Sequence, residues 1–406
     1  MAHPRPALSV AASTAMTLAA VVALAACGSS SGGAKSTGAG ASSAGGGGTA
    51  SGGSFEIGFQ GPLSGSNSQL GLNAEYGMKV AIAEANATHA LPYQLTLKTS
   101  DDMGSPDQGP TAAQVPVGDS KVIATVGPMF SGATKASEPI VGGGGLLSVT
   151  PSATNPTLTK LGFTTFFRLI PGDLAQGAGA ADYIAKVLKA KTVFSLDDKS
   201  DYGTGLSGAL DTQLTTDGVK VTHDGIDPTK DYTAEASKII SANPDVMYYS
   251  GYYAEFSLLA KALRGAGYKG VLFSGDGSND DQYITGAGAS VAEGTYLSCG
   301  CGDANSDPTA KAFVAAVATD NAGAKPGTYS GEAYDATNSI ISVLKPLGAN
   351  PTRQQVVAAY KSVDYKGLTK TVAYSSDGEI KGSSVFIYQV KGGVRTVLGT
   401  TADLVK

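Results

Sequence analysis

The sequence predicts an α/β fold built from two consecutive parallel sheets, each covered by helices. Short apolar runs alternate with segments of helical periodicity over residues 54–406. This alternation is typical of parallel sheets with helices on both faces, and two successive series indicate two such units. The length of this part of the chain also suits two domains better than one.

The first series starts with the strand FEIGFQGP and ends with the strand FFRLIPG. Its first helix, SQLGLNAEYGMKVAIAEANA, is predicted to bury a face that carries Leu72, Tyr76, Val80 and Ala83. The strands YQLTLKTSDD, KVIATVGP and GLLSVTP follow, with a helix predicted from about Gly132.

The second series starts with a helix predicted over residues 178–188. The strands KTVFSLDDKS, VKVTHDGI, DVMYYSGYY and VLFSGDG follow, with helices between them. The tail TVAYSSDGEIKGSSVFIYQVKGGVRTVLG carries β-branched runs with DG and GG turn signals. These signals predict strands and hairpins that close the fold after the chain has crossed between the two units.

The ends of the predicted strands are rich in Gly, Ser, Thr, Tyr and Asp. They read GFQGPLSG, TVGPMFSG, SVTPSATN, SLDDKSDYG, YYSGYY and FSGDGSND. Ligands of open α/β sheets bind beyond the carboxyl ends of the strands. The stretch DVMYYSGYYAEF adds four tyrosines within six residues, in a chain with no Trp and only 7% aromatics. Phenol rings suit a half-wet pocket wall, so the sequence predicts a polar cleft for a small ligand.

The N-terminus reads as an export signal followed by a linker. Its Ala/Val/Leu run is shorter than the ~20 residues that a spanning helix needs. The junction Leu24-Ala25-Ala26-Cys27 resembles a bacterial lipobox, in which Cys27 is lipidated; an ordinary cleaved signal with a chance Cys is the alternative. Residues 28–53 are almost wholly Gly, Ser, Ala and Thr, so we expect a disordered linker. We therefore expect an extracytoplasmic protein anchored to the outer face of the cell membrane.

Composition and motifs argue against several classes of function. A net charge of -5 without a basic run predicts no nucleic-acid partner. The only histidines are His3, His89 and His223, which predicts no metal site. No nucleophile elbow, HExxH motif or dinucleotide-binding glycine pattern is present, so we expect neither an enzyme nor a cofactor. Cys299 and Cys301, in SCGCG, form either a local disulfide or a pair of thiols, and the sequence leaves both open.

The motifs GPLSGSNSQLG, VGPMFSGAT, VTPSATNPTLT, DDKSDYGTGL and YYSGYYAEF, in this order, resemble the branched-chain (leucine/isoleucine/valine) amino-acid binding proteins of ABC transporters. The resemblance covers residues 55–406. It implies a type I periplasmic-binding-protein fold, with two doubly wound lobes joined by three crossing segments that close on an amino acid. We expect lobe 1 to comprise residues 54–171 and 300–378, and lobe 2 residues 172–299 and 379–406, after a signal and lipobox at residues 1–27. The implied partners are an amino acid and ABC permease subunits, and we expect a monomer.

The resemblance also implies a ligand site on the first lobe. Ser131, Ser152 and Thr154 match positions that bind the α-carboxylate and ammonium of the amino acid. Ser131 lies where a helix starts, so its hydroxyl and the nearby N–H groups suit an anion. Simple N-capping would also explain Ser131 and Thr154, and it is compatible with ligand binding.

The remaining implied site residues are acidic or aromatic. Asp276 matches a position usually occupied by Glu, where it would bind the ammonium; a turn residue in Asp-Gly is the alternative. Tyr202 and Tyr252 match pocket walls of the second lobe, and Tyr329 matches a first-lobe aromatic. Leu70 stands at a position that is often aromatic, which predicts a roomier or more aliphatic end of the pocket.

The sequence does not identify the ligand. Branched-chain amino acids come first, while other amino acids, amides, urea-like compounds and aromatic acids stay open. A sensor on the same fold, presenting its ligand to a separate signalling chain, is the alternative to transport.

Overall fold

The computed structural model describes residues 53–382 and 384–406. The predicted signal, Cys27 and nearly all of the predicted linker lie outside the described residues. None of the described helices is long and apolar enough to cross a membrane.

The first sheet contains five parallel strands in the order β2-β1-β3-β4-β5. Its strands are β1 Ser54–Gly61, β2 Gln94–Asp101, β3 Val122–Val126, β4 Leu147–Thr150 and β5 Phe166–Arg168. The helices that connect them are α1 Ser68–Ala87, α2 Gly109–Gly118 and α3 Ser131–Gly143. Strands β3 and β4 are buried along their whole length, as expected for a parallel sheet covered on both faces.

The second sheet contains seven strands, and its first five in the chain run parallel. Its first elements are α4 Asp173–Asp182, β6 Thr192–Asp197, α5 Asp201–Thr216, β7 Lys220–Gly225, α6 Thr233–Ala242, β8 Val246–Ser250, α7 Tyr253–Gly265, β9 Val271–Ser274, α8 Asp281–Ala287, α9 Ala289–Ala292 and β10 Tyr296–Cys299. In β8, Tyr248 packs near Phe273 with ring centroids 5.3 Å apart, whereas Tyr249 stacks on Phe256 at 5.5 Å. The two neighbouring phenols therefore serve opposite faces of the sheet, as strand alternation predicts.

The chain then returns to the first sheet and finally completes the second. Helices α10 Lys311–Asp320, α11 Ser330–Leu344 and α12 Arg353–Tyr360 pack on α1 or on strands of the first sheet. The last elements are β11 Tyr365–Lys366, β12 Thr371–Val372, β13 Phe386–Lys391, β14 Val394–Thr400 and α13 Thr401–Leu404. The hairpin β13-β14 adds to β10 in antiparallel fashion and gives the order β14-β13-β10-β9-β8-β6-β7.

The predicted α/β fold with two doubly wound lobes and three crossings is confirmed. The chain crosses after β5, after β10 and between β12 and β13. Arg168 and Glu379 form an ion pair that ties the first crossing to the third. Cys299 and Cys301, at the second crossing, form a disulfide. The lobe boundaries themselves stay a prediction, which the strand membership of the two sheets supports.

The predicted buried face of α1 is wrong in part. Val80 is buried, but Leu72 and Tyr76 are only half-buried, and Ala83 is exposed. The buried residues of this helix are Leu70, Gly71, Asn73, Ala74, Gly77, Met78, Val80, Ala81, Ile82 and Ala85. The buried stripe contains many small residues, because α1 packs closely on α11: a Cβ added to Gly77 would collide with the carbonyl of Ser330. A pattern of large apolar residues does not reveal such a contact.

The first helix of the second lobe begins earlier than predicted. The sequence places it over residues 178–188, whereas α4 starts at Asp173 and continues through a π-helical turn over Tyr183–Val187. Gly172, with extended backbone at the N-cap, lets the helix follow the first crossing directly. This difference places Asp173 and Gln176 on a helix that begins at the junction between the two lobes.

Candidate binding cleft

The carboxyl group of Asp276 is the centre of a buried hydrogen-bond network between the lobes. Asp276 opens a 3₁₀ turn directly after β9 and is fully buried. Its Oδ1 accepts hydrogen bonds from the hydroxyl of Tyr202 at 2.6 Å and from Nε2 of Gln176 at 2.8 Å. Its Oδ2 accepts one from the hydroxyl of Tyr329 at 2.7 Å. Burial raises the pKa of Asp276, and the three donors oppose that rise by stabilising the charged form.

The three donors come from three elements on both sides of the cleft. Gln176 lies on α4 and Tyr202 on α5, which pack against each other in the second lobe. Tyr329 directly precedes α11, which packs on α1 and β3 of the first lobe. The turn after β9 is real, but a turn alone does not explain why the Asp276 side chain has such distant partners.

The backbone at Tyr329 is unusual. Its φ of 71° lies in the left-handed region, which is uncommon for residues other than glycine. Strained residues of this kind persist where the surrounding structure holds them, and they cluster at binding sites. In this conformation Tyr329, at the start of α11, donates its phenol hydroxyl to Asp276.

Aromatic rings form a wall beside this network. The ring of Tyr252 stacks on Phe130, with centroids 4.2 Å apart, and lies 5.2 Å from the ring of Tyr202. Phe130 precedes α3 of the first lobe, whereas the two tyrosines belong to the second lobe. Burial, followed by nearby carboxylates, raises the pKa of Tyr252 well above its usual value. The stack therefore spans the cleft with neutral phenol and phenyl rings.

The hydroxyl of Ser131 lies next to this wall. Ser131 is the first residue of α3, and its Oγ accepts a hydrogen bond from the N–H of Asn155 at 3.2 Å. Phe130 occupies the N-cap position, and no described side chain caps this helix. The capping explanation for Ser131 is therefore wrong, because its hydroxyl serves the loop after β4 instead.

Ser152 and Thr154 lie in that loop. The hydroxyl of Ser152 donates to the carbonyl of Met129 at 2.7 Å, so its proton is engaged while its oxygen can still accept a hydrogen bond. Oγ1 of Thr154 is buried and has no hydrogen-bond partner within the described part of the chain. The carbonyl of Thr154 accepts from the N–H of Asp173 at 2.9 Å and thereby joins the loop to the start of α4.

The seven sequence-predicted residues thus lie along one boundary between the lobes, linked by hydrogen bonds, stacked rings or adjacent backbone. Further polar contacts hold the same boundary together. They join Asn67 to Glu255 at 3.1 Å, Asn73 to Asp280 at 2.8 Å and Lys135 to Asp201 at 2.8 Å. The structure therefore shows the lobes in contact across the cleft. The role of each residue in ligand binding stays a prediction.

Sequence reasoning missed Gln176 and Phe130. Gln176 precedes the helix predicted over residues 178–188, so the sequence pattern does not put it on a helix, whereas it lies on α4. Phe130 was visible in the strand end TVGPMFSG, where a lone aromatic residue directly precedes a small-residue helix start. Leu70, expected at one end of the pocket, is fully buried on α1.

Comparisons with known proteins give a consistent result. The sequence model of a family described as periplasmic binding protein matches residues 54–394. A Leu/Ile/Val-binding protein of Rhizobium johnstonii is 32% identical to this chain over 343 residues, which cover 83% of this chain and 92% of that protein.

Two solved structures are similar in fold and sequence. The leucine-binding protein LivK from Thermotoga maritima has a TM-score of 0.78 and 26% identity, covering 85% of this chain and 98% of that one. The branched-chain amino acid transporter substrate-binding protein LivJ from Streptococcus pneumoniae, in complex with isoleucine, has a TM-score of 0.77 and 25% identity, covering 86% and 98%.

Proposed function

The chain belongs to the periplasmic binding protein family, and we propose that it captures an amino acid between its two lobes and delivers it to an ABC importer. The observation that carries this proposal is the Asp276 network, in which donors from both lobes converge on one buried carboxyl group. A ligand that contacts both lobes binds the closed state better than the open state, so it shifts the population toward closure.

The chemistry of the cleft suits an amino acid. Asp276 offers a negative charge for the ammonium, and the start of α3 at Ser131 offers N–H groups and a positive dipole end for the carboxylate. Phe130 and Tyr252 offer apolar surface for a side chain. The relatives named for leucine, isoleucine and valine support a branched-chain ligand. This is a binding cycle rather than catalysis, so we propose that the protein is not an enzyme.

A thermal-shift screen over the amino acids, small amides and aromatic acids tests the proposal. A ligand at a hundred times its Kd stabilises the folded state by about 2.7 kcal/mol, which a melting curve resolves. We expect a branched-chain amino acid to raise the melting temperature most. A response to amides or urea-like compounds alone would contradict the amino-acid proposal.

A sensor for another small acid or amide is the second candidate. The stacked rings of Phe130 and Tyr252 favour it, because such a wall also accepts a planar ligand. A strong response to aromatic acids, with none to leucine, isoleucine or valine, would favour this candidate.

We also propose that Cys27 carries the membrane anchor and that the protein acts as a monomer outside the cytoplasm. The Leu24-Ala25-Ala26-Cys27 junction and the Gly/Ser-rich linker support the export and the anchor. Stable anchoring needs more than one acyl chain. Cys27→Ala should move the protein to the soluble fraction or leave it unprocessed. A variant that is cleaved and stays membrane-bound would contradict lipidation.

A further inference from the structure

Two helices of opposite lobes begin without a side-chain cap of their own. Helix α1 starts after Asn67 and α7 starts after Tyr252, and neither N-cap side chain accepts a hydrogen bond from its own helix. Helices α5 and α12, by contrast, are capped by their own N-cap residues Ser200 and Thr352. The first N–H groups of a helix have no partner within it, so those of α1 and α7 need acceptors from elsewhere.

These acceptors come from the opposite lobe. The N–H of Ala254, in the first turn of α7, donates to Oδ1 of Asn67 at 3.1 Å. In the other direction, the N–H of Gln69, in the first turn of α1, donates to the phenol oxygen of Tyr253 at 3.2 Å. Asn67 of the first lobe thus caps a helix of the second, and Tyr253 of the second lobe caps a helix of the first.

The amide of Asn67 is engaged on both sides. Its Nδ2 donates to Oε2 of Glu255 at 3.1 Å, while its Oδ1 accepts from the N–H of Ala254. Glu255 lies in the first turn of α7, where the positive end of the helix dipole favours a carboxylate. Asn67 is half-buried and Tyr253 is buried, so the contact excludes much of the water that would otherwise solvate these groups.

The contact between the lobes continues along α1. Nε2 of Gln69 donates to Oδ1 of Asn73 at 2.9 Å, and Nδ2 of Asn73 donates to Oδ2 of Asp280 at 2.8 Å. Asp280 is the N-cap residue of α8, and its other oxygen accepts from the N–H of Gln282. The polar edge of α1 therefore meets the starts of two helices of the second lobe.

The two caps exist only while the lobes touch. When the lobes separate, the N–H groups of Gln69 and Ala254 exchange a protein acceptor for water. A side-chain cap shifts the equilibrium of the structure that it stabilises by about fivefold. Neither cap involves Asp276 or the three donors of Asp276. The stabilisation of the closed form by the caps is therefore independent of the ligand that the cleft encloses.

We propose that Asn67 and Tyr253 form a latch, in which each lobe caps a helix of the other, and that this latch sets how long the closed cleft retains its ligand. The inference rests on the proposed capture of a ligand between the lobes. Asn67 and Tyr253 are positioning residues, which hold the lobes together rather than touch the ligand. The latch therefore raises the affinity for every ligand by the same factor and leaves the preference among ligands to the cleft.

The test measures L-leucine and L-valine on the same variants, with calorimetry for Kd and stopped-flow for the dissociation rate. Asn67→Ala removes the cap of α7 and the bond to Glu255, so both Kd values should rise about five- to thirtyfold. The rise should come mainly from faster dissociation, because the latch forms after the ligand has entered. The ratio of the two Kd values should stay within about threefold of wild type. Tyr253→Phe keeps the ring and removes one acceptor, so a rise of about two- to tenfold is expected.

An exchange across the cleft separates the latch from a local role of Asn67 in α1. Asn67→Asp keeps an acceptor for Ala254 but places a carboxylate against that of Glu255, so leucine should bind more weakly than to wild type. Glu255→Gln in the same chain supplies an amide donor for that carboxylate and should restore Kd to within about threefold of wild type. A local role would lower the melting temperature of the free variants, and a change in the other lobe would not repair it.

Ser66→Ala is the matched control, because Ser66 is exposed in the loop that leads to Asn67. It should leave both affinities unchanged. If Asn67→Ala binds leucine within about twofold of wild type, the latch is overturned while the proposed function stands. A change of more than threefold in the ratio of the two Kd values would also overturn it, because Asn67 would then act on the ligand side chain.

The failure of the amino-acid proposal can be distinguished from the failure of the latch. If the wild type binds benzoate and no amino acid in the screen, the amino-acid proposal fails. The latch predicts the same factors for benzoate, since it acts on closure, so the same variants measured with benzoate then decide it. Unchanged benzoate affinity in Asn67→Ala would overturn the latch as well.

Discussion

Two buried carboxyl groups of this chain each accept three hydrogen bonds, but their donors come from different places. Asp335 on α11 accepts from the N–H of Leu368 at 2.6 Å and from the N–H and hydroxyl of Thr369 at 2.7 and 2.6 Å. All three donors belong to one loop in the same lobe. Asp276 takes its donors from three elements, one of which lies across the cleft.

The difference shows what each carboxyl group does. Asp335 stabilises a local loop, so it contributes to the stability of one lobe whatever the position of the other. Asp276 gains its full set of donors only when Tyr329 of the first lobe meets Tyr202 and Gln176 of the second. The hydrogen bonds of Asp276 therefore stabilise the closed form of the cleft.

The largest expected effect is on ligand affinity in Asp276→Asn. Removing one member of a buried charged pair typically costs about 3–5 kcal/mol, or two to three decades or more in Kd. Calorimetry with the best amino acid from the screen measures it, and circular dichroism checks the fold. Binding within a factor of a few of wild type, in a folded variant, would mean that the ligand has no ammonium near Asp276.

The second effect is a pH dependence of the unfolding free energy that arises from Glu138. This residue has a buried carboxyl group inside the first lobe. Burial raises its pKa to about 8, and a hydrogen bond from the hydroxyl of Ser148 partly opposes that rise. The folded state therefore keeps a proton that the unfolded state releases near its usual pKa. Unfolding free energy should fall by up to about 1.4 kcal/mol per pH unit as pH rises from that usual pKa to about 8.

Glu138→Gln removes this titration, so the variant should gain stability over wild type as pH rises through that interval. Urea unfolding at several pH values measures the difference, and ligand affinity should not change. If the difference in unfolding free energy between Glu138→Gln and wild type does not change with pH, the raised pKa of Glu138 is contradicted.

The third effect is a loss of stability without a loss of ligand affinity, the opposite of the effect expected for Asp276→Asn. Asp335→Asn should lower the free energy of unfolding by roughly 1.5–3 kcal/mol, because the charged acceptor of three donors is lost. Ligand affinity should stay within a factor of two or three, since no donor comes from the other lobe. A large loss of affinity with an unchanged melting temperature would reverse the roles assigned to Asp335 and Asp276.

The smallest effect is expected for Tyr252→Phe. The substitution keeps the ring that stacks on Phe130 and removes only a hydroxyl, so affinity should fall by about 0.5–1.5 kcal/mol if that hydroxyl makes a neutral bond to the ligand. Calorimetry on both variants with the same ligand shows which of Tyr252→Phe and Asp276→Asn loses more affinity. A larger loss for Tyr252→Phe than for Asp276→Asn would place the main polar contact on the wall rather than on the carboxyl group.

The sequence predicted those features that depend on the residue types of a short segment. Strand and helix periods predicted the two sheets, and polar residues at strand ends predicted the boundary on which Ser131, Tyr202, Tyr252 and Asp276 lie. A phenol pair such as Tyr248 and Tyr249 could be assigned to opposite faces from alternation alone.

The sequence was less informative where close packing or long-range contact decides. The buried face of α1 depends on Gly77 against a neighbouring helix, and the early start of α4 depends on a glycine N-cap after the first crossing. Because that helix start is not visible in the sequence pattern, the sequence does not reveal Gln176 as a partner of Asp276. Whether Cys299 and Cys301 pair depends on backbone geometry, which residue spacing does not specify.

Small-angle scattering with and without a saturating amino acid tests whether the cleft closes on its ligand, because a ligand clamped between two lobes must favour the closed form. The radius of gyration of the wild type should decrease when the amino acid binds. Asp276→Asn, at the same ligand concentration, should show little or no decrease. A radius that is unchanged when a tight ligand saturates the wild type would contradict the two-lobe clamp.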